Sequence, residues 1–419
     1  MEDILLKEFF KKERWEEAVQ TAVEKDISQQ LLREMSTPDN RILLYRALKA
    51  NTYHIRPPHE AQIPKENGEY RTVYVNEDQD RVILSIINDM LFELCPEMVH
   101  KHCLSYQKGI GCGKVVQKAS QIIKTMKEKE IGVKVDLSKY FDSVPIRYIE
   151  DVFQKIENKF GPSKILDLLN DYYHDNTVID MEKKTIEKYS SLRQGCAVAA
   201  FLADAVLYDM DAVISEMNVF YVRYSDDILI LGKNWKEGYK LLQKKLAEKE
   251  LTLNPKKVEF LDKNHWFKFL GFAMKNDQIS LSKNRIKKFQ KEIERRTIRS
   301  KSHNPKQIFH NVNAFLYKGF QGYSWATGVL PIINVEKDIQ TMNSFVMDAI
   351  RGGITGKGKI GGLGVVTEKG DHTILRGKGR NVKANREKIP NIEGYMTLSC
   401  MRNALLTSRE AYNTLVMSM

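Results

Sequence analysis

The stretch Phe220-Tyr-Val-Arg-Tyr-Ser-Asp-Asp-Ile-Leu-Ile-Leu-Gly232 is the most informative segment of the chain. Two runs rich in β-branched and aromatic residues flank Ser225-Asp226-Asp227, which predicts a β-hairpin with the acids at its tip. Acids are ordinary turn formers, so their position alone says little. Two adjacent carboxylates repel each other, however, and a bound cation removes that repulsion.

A second stretch, Ile131-Gly-Val-Lys-Val-Asp-Leu-Ser-Lys-Tyr-Phe-Asp-Ser-Val144, supplies a third acid. Its apolar run predicts a strand ending at Asp136, then a polar turn and a helical segment. A strand end beside the hairpin tip, in one sheet, would bring Asp136, Asp226 and Asp227 together. Three carboxylates from two strands suit a pair of Mg²⁺ ions about 4 Å apart. One ion activates an attacking hydroxyl and the other stabilises a departing pyrophosphate. Asp142 is better placed to cap or orient the segment that follows.

Composition agrees with a polyanion partner. The 419 residues suit two or three packed units, and a hydrophobic fraction of 42% is enough for globular cores. Lys and Arg number 66 against 54 Asp and Glu, a net charge of +12 that points to nucleic acid or an anionic membrane surface. No apolar stretch approaches the roughly 18–20 residues of a membrane span. The charged start Met-Glu-Asp-Ile-Leu-Leu-Lys lacks the order of a signal peptide, so a cytoplasmic protein without a membrane partner is expected. Five cysteines at 95, 103, 112, 196 and 400 show no C-x-x-C spacing, which argues for reduced thiols. The spacing of the histidines suggests no zinc site, and Gly109-x-Gly-x-Gly113 lacks the spacing of a dinucleotide loop.

Changes of texture divide the chain into four segments. Residues 1–52 read as a helical extension, 53–280 as mixed short strands and helices, and 281–350 as helical again, beginning with the basic run Lys283–Arg299. Residues 351–419 form a basic, glycine-rich segment closed by one helix over 394–416. Within 351–390 lie ten glycines and ten Lys or Arg against three acids, with a repeated Gly-Lys-Gly pattern. This reads as a mobile basic arm on a nucleic-acid backbone rather than an exposed linker.

The two acidic stretches resemble the palm motifs of reverse transcriptases, and other motifs of that family follow in order. Ile63-Pro-Lys-Glu-Asn-Gly-Glu-Tyr-Arg71 and Asp80-Arg81-Val82 are similar to the fingers of bacterial and group II intron-type enzymes. Ser105-Tyr-Gln-Lys-Gly109, Ser191-Leu-Arg-Gln-Gly195, Leu253-Asn-Pro-Lys-Lys257 and the primer-grip-like Phe269-Leu-Gly-Phe272 continue the series. The resemblance covers about 55–280. It implies an α/β (α+β) right-hand polymerase fold, with fingers, an antiparallel palm sheet and a mainly helical thumb. Phe315-Leu-Tyr-Lys-Gly-Phe-Gln-Gly-Tyr-Ser-Trp325 would serve that thumb, as core on one face and duplex grip on another.

The resemblance also implies residue roles. Asp136, Asp226 and Asp227 would be catalytic, and with Leu137 they would surround two Mg²⁺ ions. Lys65 and Arg71 match positions that contact the triphosphate of an incoming dNTP, as a point charge and a fork suited to the same anion. Arg81 suits either the same role or a structural ion pair. Phe141 falls where an aromatic ring excludes a 2′-hydroxyl. Gln194 and Gly195 match the pocket beside the nascent base pair. Arg193 replaces the usual proline, altering loop rigidity or adding a phosphate contact, and Ser225 stands where relatives carry Ala, Met or Val.

The implied activity is RNA-templated DNA synthesis, with an RNA template and a cDNA product. No RNase H-like, integrase or HNH pattern follows the thumb, which favours the stand-alone reverse transcriptases of bacterial anti-phage defence and a dedicated non-coding RNA. The alternatives are the enzyme of a retron or diversity-generating retroelement, or a non-catalytic RNA-binding scaffold. RNA synthesis on RNA is a further rival, opposed by Phe141.

Overall fold

A computed structural model describes residues 2–22, 27–65, 69–107, 111–189, 191–319, 323–366 and 371–419. Glu66–Gly68 of the fingers-like stretch, Lys108-Gly109 and Phe320–Gly322 lie outside the described residues. The chain divides into two compact units. One comprises Met1–Lys108, Val133–Ile230 and Asn234–Glu259; the other comprises Gly109–Gly132, Leu231–Lys233 and Phe260–Met419.

In the first unit, short helices occupy Ile4–Phe9, Lys12–Thr21, Gln29–Met35 and Pro38–Lys49. They pack Leu5, Phe9 and Trp15 into the unit's core beside the helix Asp78–Leu94, whose Val82, Ile83, Ile86, Ile87 and Met90 are all buried. Asp80 in that helix is buried because Tyr53 Oη donates to it at 2.5 Å and the Arg56 backbone and guanidinium donate at 3.2 and 3.1 Å. Its neighbour Arg81 lies 3.4 Å from Asp78 one turn away, an ion-pair position.

Strands β1 (His59–Pro64) and β2 (Tyr70–Val75) form an antiparallel hairpin in which Ile63 pairs with Arg71. Strand β3 (Glu130–Asp136) ends in the acid read from the sequence. Strands β4 (Thr177–Ile179) and β5 (Thr185–Glu187) extend the first hairpin into a sheet of order β2-β1-β4-β5, with β4 parallel to β1. Strands β6 (Phe220–Tyr224), β7 (Asp227–Leu231) and β8 (Glu259–Asp262) join β3 in the order β6-β7-β3-β8. The central strands are apolar because both faces are covered: Val133, Val135, Ile228, Leu229 and Ile230 are all buried.

In the second unit, β9 (Phe267–Phe269), β10 (Phe272–Lys275) and β11 (Gln278–Leu281) make an antiparallel sheet. Leu270 and Gly271 turn the chain between β9 and β10 with φ of +49° and +80°, as a type I′ hairpin requires. Ser282 then caps the basic helix Lys283–Arg296, which buries Ile286, Phe289 and Ile293. Among the described aromatics of 315–325, Trp325 packs on Phe289 at 4.6 Å and Tyr317 is buried, whereas Tyr323 is exposed. All five cysteines of the chain are free.

The C-terminal segment differs from its sequence reading. The described residues of 351–390 are largely folded into regular elements. They hold the end of the helix Glu336–Ile354, an antiparallel hairpin of β12 (Leu363–Val366) and β13 (Thr373–Arg376), and the helix Val382–Lys388. The reason is a carboxylate that glycine and lysine counts do not reveal. Asp348, buried to 2% exposure, accepts from Arg351 at 3.1 Å, Arg376 at 3.1 Å, and Arg386 at 3.0 and 2.9 Å. The single helix expected over 394–416 is two, Leu398–Thr407 and Arg409–Met417. Ser408, extended at φ −163°, caps the second by accepting from the Ala411 N–H. Removing Asp348 strands three arginines, one of them buried, so Asp348→Ala should cost about 3–5 kcal/mol in urea unfolding of the full chain.

Candidate active site

The predicted hairpin is present, with Ser225 and Asp226 as its two-residue turn between β6 and β7. Ser225 has φ of +58°, a conformation that costs a non-glycine residue about 1–2 kcal/mol. Two neighbours, the exposed Tyr106 and the buried Arg223, hold it there. Ser225 Oγ lies 3.3 Å from Tyr106 Oη, and its carbonyl accepts from Arg223 Nη1 at 3.2 Å.

Arg223 is itself fully buried. Its guanidinium grips Asp211 at 2.6 to 3.1 Å and donates to the carbonyls of Ala203 and Asp204 at 3.3 and 3.0 Å. Tyr221 Oη donates to the same Asp211 at 2.5 Å, and Ser105 Oγ donates to Asp204 at 2.6 Å. Burial pushes the Asp204 carboxyl up to about 6, against the pull of Arg223. Its second oxygen is buried without a hydrogen-bond partner among the described residues.

Asp136 reaches the turn through the backbone. The Leu137 N–H donates to the Asp226 carbonyl at 3.0 Å, and the Asn254 N–H donates to the Asp136 carbonyl at 2.8 Å. The Asp136 carboxylate accepts from Lys257 Nζ at 2.6 Å. Burial raises Asp226, and the charge of Asp136 raises it further. Burial, then Asp226 and Asp136, push Asp227 up to about 6. The three acids therefore share one electrostatic environment. Among the described residues, no three His, Cys, Asp or Glu side chains form a closed metal cage in this conformation, and Lys257 is the cation that Asp136 holds. The donor set nonetheless fits a hard divalent ion: crowded carboxylate oxygens with a backbone oxygen nearby.

Arg71 is exposed on β2, and its charge acts on both Asp226 and Asp142. Lys65, at the end of the same hairpin, acts on Asp142 and lies 3.6 Å from Glu69. The Tyr74 N–H of β2 donates to the Gln194 carbonyl at 2.7 Å. Gly195 follows with φ of +108°, and a Cβ there would sit 2.7 Å from the Tyr74 carbonyl oxygen, so only glycine fits. Phe141 is half-buried and lines a small cavity with Tyr74, Ser191 and Arg193, whereas its neighbour Tyr140 is core, donating to the Ala203 carbonyl at 2.6 Å.

Arg193 does not face outward, as a phosphate contact would require. Its guanidinium is turned inward, 4.4 Å from the centre of the Tyr172 ring and bonded to the Asp175 carbonyl. Reading the sequence placed Lys257 in a motif but missed its pairing with Asp136, and it missed the Arg223–Asp211–Asp204 set. The available signal was a charged residue at the centre of an otherwise apolar strand, where only a buried partner makes it tolerable.

The crowding has a measurable cost. Asp227 titrates higher in the folded protein than in the unfolded chain, so its contribution to stability is present below about pH 4 and is lost as pH rises through about 6. Asp227→Asn mimics the neutral form. In thermal melts with chelator at pH 7 it should stabilise the protein by about 1–3 kcal/mol, a gain that shrinks towards pH 4. Gly195→Ala should instead destabilise by on the order of 1–3 kcal/mol, read in the same melts.

Comparison with known proteins completes the picture. A family model described as reverse transcriptase (RNA-dependent DNA polymerase) matches residues 63–274, just over half of the 419-residue chain. Comparison with curated proteins gives no match. Among solved structures, the apo telomerase of Candida tropicalis truncated from its C-terminal domain aligns at 12% identity and TM-score 0.40, over 61% of this chain and 60% of that one. Telomerase of Candida albicans with the TWJ fragment of telomeric RNA aligns at 11% identity and TM-score 0.41, over 74% of this chain and 62% of that one. The chain thus spans about three fifths of the length of these two proteins. With half its length matched to one family model, the chain belongs to the reverse transcriptase family, the RNA-dependent DNA polymerases, and has their right-hand polymerase fold.

Proposed function

We propose that the chain copies RNA into DNA at a site built from Asp136, Asp226 and Asp227. The observation that supports this most directly is the 3.0 Å hydrogen bond from the Leu137 N–H to the Asp226 carbonyl, which ties the end of β3 to the hairpin turn. Two Mg²⁺ ions bound by the three carboxylates and the Leu137 carbonyl would lower the pKa of a primer hydroxyl and neutralise the departing pyrophosphate. Above about pH 6 Asp227 is ionised, the form that ligates a cation. Lys257 orients the Asp136 carboxylate through the 2.6 Å bond between them.

On this reading Arg71 and Lys65 hold the triphosphate of the incoming dNTP. Gln194 and Gly195 shape the pocket beside the base pair, pinned to β2 through Tyr74. Phe141 excludes a 2′-hydroxyl, supported by its half-buried place beside Tyr74 and Ser191. We further propose that the chain acts in the cytoplasm on a dedicated non-coding RNA in bacterial anti-phage defence. The support is the ordered bacterial-type motif series from Lys65 to Phe272, together with the net charge of +12.

Labelled dNTP incorporation on a primed RNA template with Mg²⁺ tests the chemistry. Asp226→Ala with Asp227→Ala should remove incorporation to background, and an unchanged rate would sink the assignment. Phe141→Ala should raise ribonucleotide use relative to dNTP by on the order of tenfold or more, read as a ratio of kcat/KM. Sequencing RNA and cDNA that co-purify with the protein should return one dominant template; a random sample of host RNA would overturn the dedicated-template reading.

A further inference from the structure

The second unit contains a repeated element that the candidate active site does not use. Gly356-Lys-Gly-Lys359 and Gly377-Lys-Gly-Arg380 carry the same pattern, a cation at alternate positions between glycines. They run out from the paired ends of β12 and β13, where Leu363 faces Arg376. Backbone bonds keep them side by side: the Gly377 N–H donates to the Gly362 carbonyl at 2.8 Å, and the Asn381 N–H donates to the Lys359 carbonyl at 3.4 Å.

Their approach is as close as backbones allow. A Cβ at Gly361 would lie 1.7 Å from the Gly377 carbonyl oxygen, and one at Gly379 would lie 2.3 Å from the Gly361 nitrogen. Glycine at these positions lets the two segments touch. Lys357, Lys359, Lys378 and Arg380 are all exposed. None pairs with a carboxylate among the described residues; the three nearby arginines Arg351, Arg376 and Arg386 are taken up by Asp348. Beside the crossing, Lys378, Gly379, Val382 and Lys383 border an open depression of about 780 Å³. The result is a set of four exposed cations on a tightly fixed backbone, none of them paired with a described carboxylate.

We propose that this crossing is a phosphodiester-binding site, at which the two Gly-Lys-Gly-Lys/Arg segments grip the backbone of a nucleic acid without reading its sequence. Alternate lysines present point charges at the spacing of an extended chain, and phosphate contact of this kind is independent of base identity. The choice of nucleic acid over an anionic membrane rests on the family to which the chain belongs; these four cations sit on glycine-flanked segments rather than on the polar face of an amphipathic helix.

The test uses the full chain and a labelled RNA, with binding followed by anisotropy over a salt series. Replacing Lys357, Lys359, Lys378 and Arg380 by Gln should weaken binding on the order of tenfold at physiological salt and flatten the dependence of log affinity on log salt by about 2–4. A control set of exposed lysines, Lys49, Lys183, Lys240 and Lys244 to Gln, removes the same charge elsewhere. Swapping Lys and Arg within the crossing keeps the charge and should keep the affinity. Equal weakening by the control set, unchanged binding by the crossing set, or loss of binding on the Lys/Arg swap would each overturn the site. So would binding to phosphatidylserine vesicles that the crossing set abolishes while RNA binding stays intact. Primer extension on a short template is measured in parallel: its absence in the wild type counts against the polymerase reading, whereas the comparison of variant sets decides the crossing.

Discussion

A guanidinium with no exposure to water, that of Arg223, underlies the geometry of this molecule's acidic turn. Removing an arginine and an aspartate from water costs several kcal/mol per ion, and their attraction offsets this only when the remaining hydrogen-bonding groups are also satisfied. Here they are: Nε, Nη1 and Nη2 all donate, to Asp211 and to three backbone carbonyls. One of those carbonyls belongs to Ser225, so the ion pair acts directly on a turn whose dihedral angles a serine would not choose. Its main effect is on position. The same network reaches Tyr221 and, through Asp204, Ser105, so strand β6, the turn and the helix Tyr208–Ser215 are fixed together.

What the sequence revealed follows from the range of each interaction. The hairpin and the strand ending at Asp136 depend on residues a few positions apart, and alternation of apolar side chains reports them directly. Cooperation between Asp136 and Asp226 was a reasonable inference, since both lie at strand ends. The pairing of Lys257 with Asp136 spans 121 positions, and nothing in local pattern announces it. The inward place of Arg193 has a related cause. A basic residue in a polar loop ordinarily faces solvent, but the ring of Tyr172 and the Asp175 carbonyl, both brought there by tertiary packing, give it an interior place.

The C-terminal segment shows the limits of composition more sharply. Glycine and lysine content predicts mobility only if nothing in the rest of the chain organises the segment. Asp348 lies on a helix that precedes it and uses three guanidiniums to fold the segment against itself. Basic residues thereby fall into two groups that counts cannot separate, those neutralised inside the fold and those left to face solvent. A net charge of +12 does not separate the arginines held by Asp348 from the cations that face solvent.

Gly195 carries a consequence for how this chain can vary. Its hydrogen atom occupies the space that lets the Tyr74 carbonyl lie against the Gln194-Gly195 loop. Every codon change that replaces glycine by another amino acid adds at least one carbon at that point. The position therefore has no mild substitution within reach of a single mutational step, and a compensating change would have to move a strand rather than trim a side chain. At this residue, lineages of this protein have only one neighbour in sequence space, which is themselves.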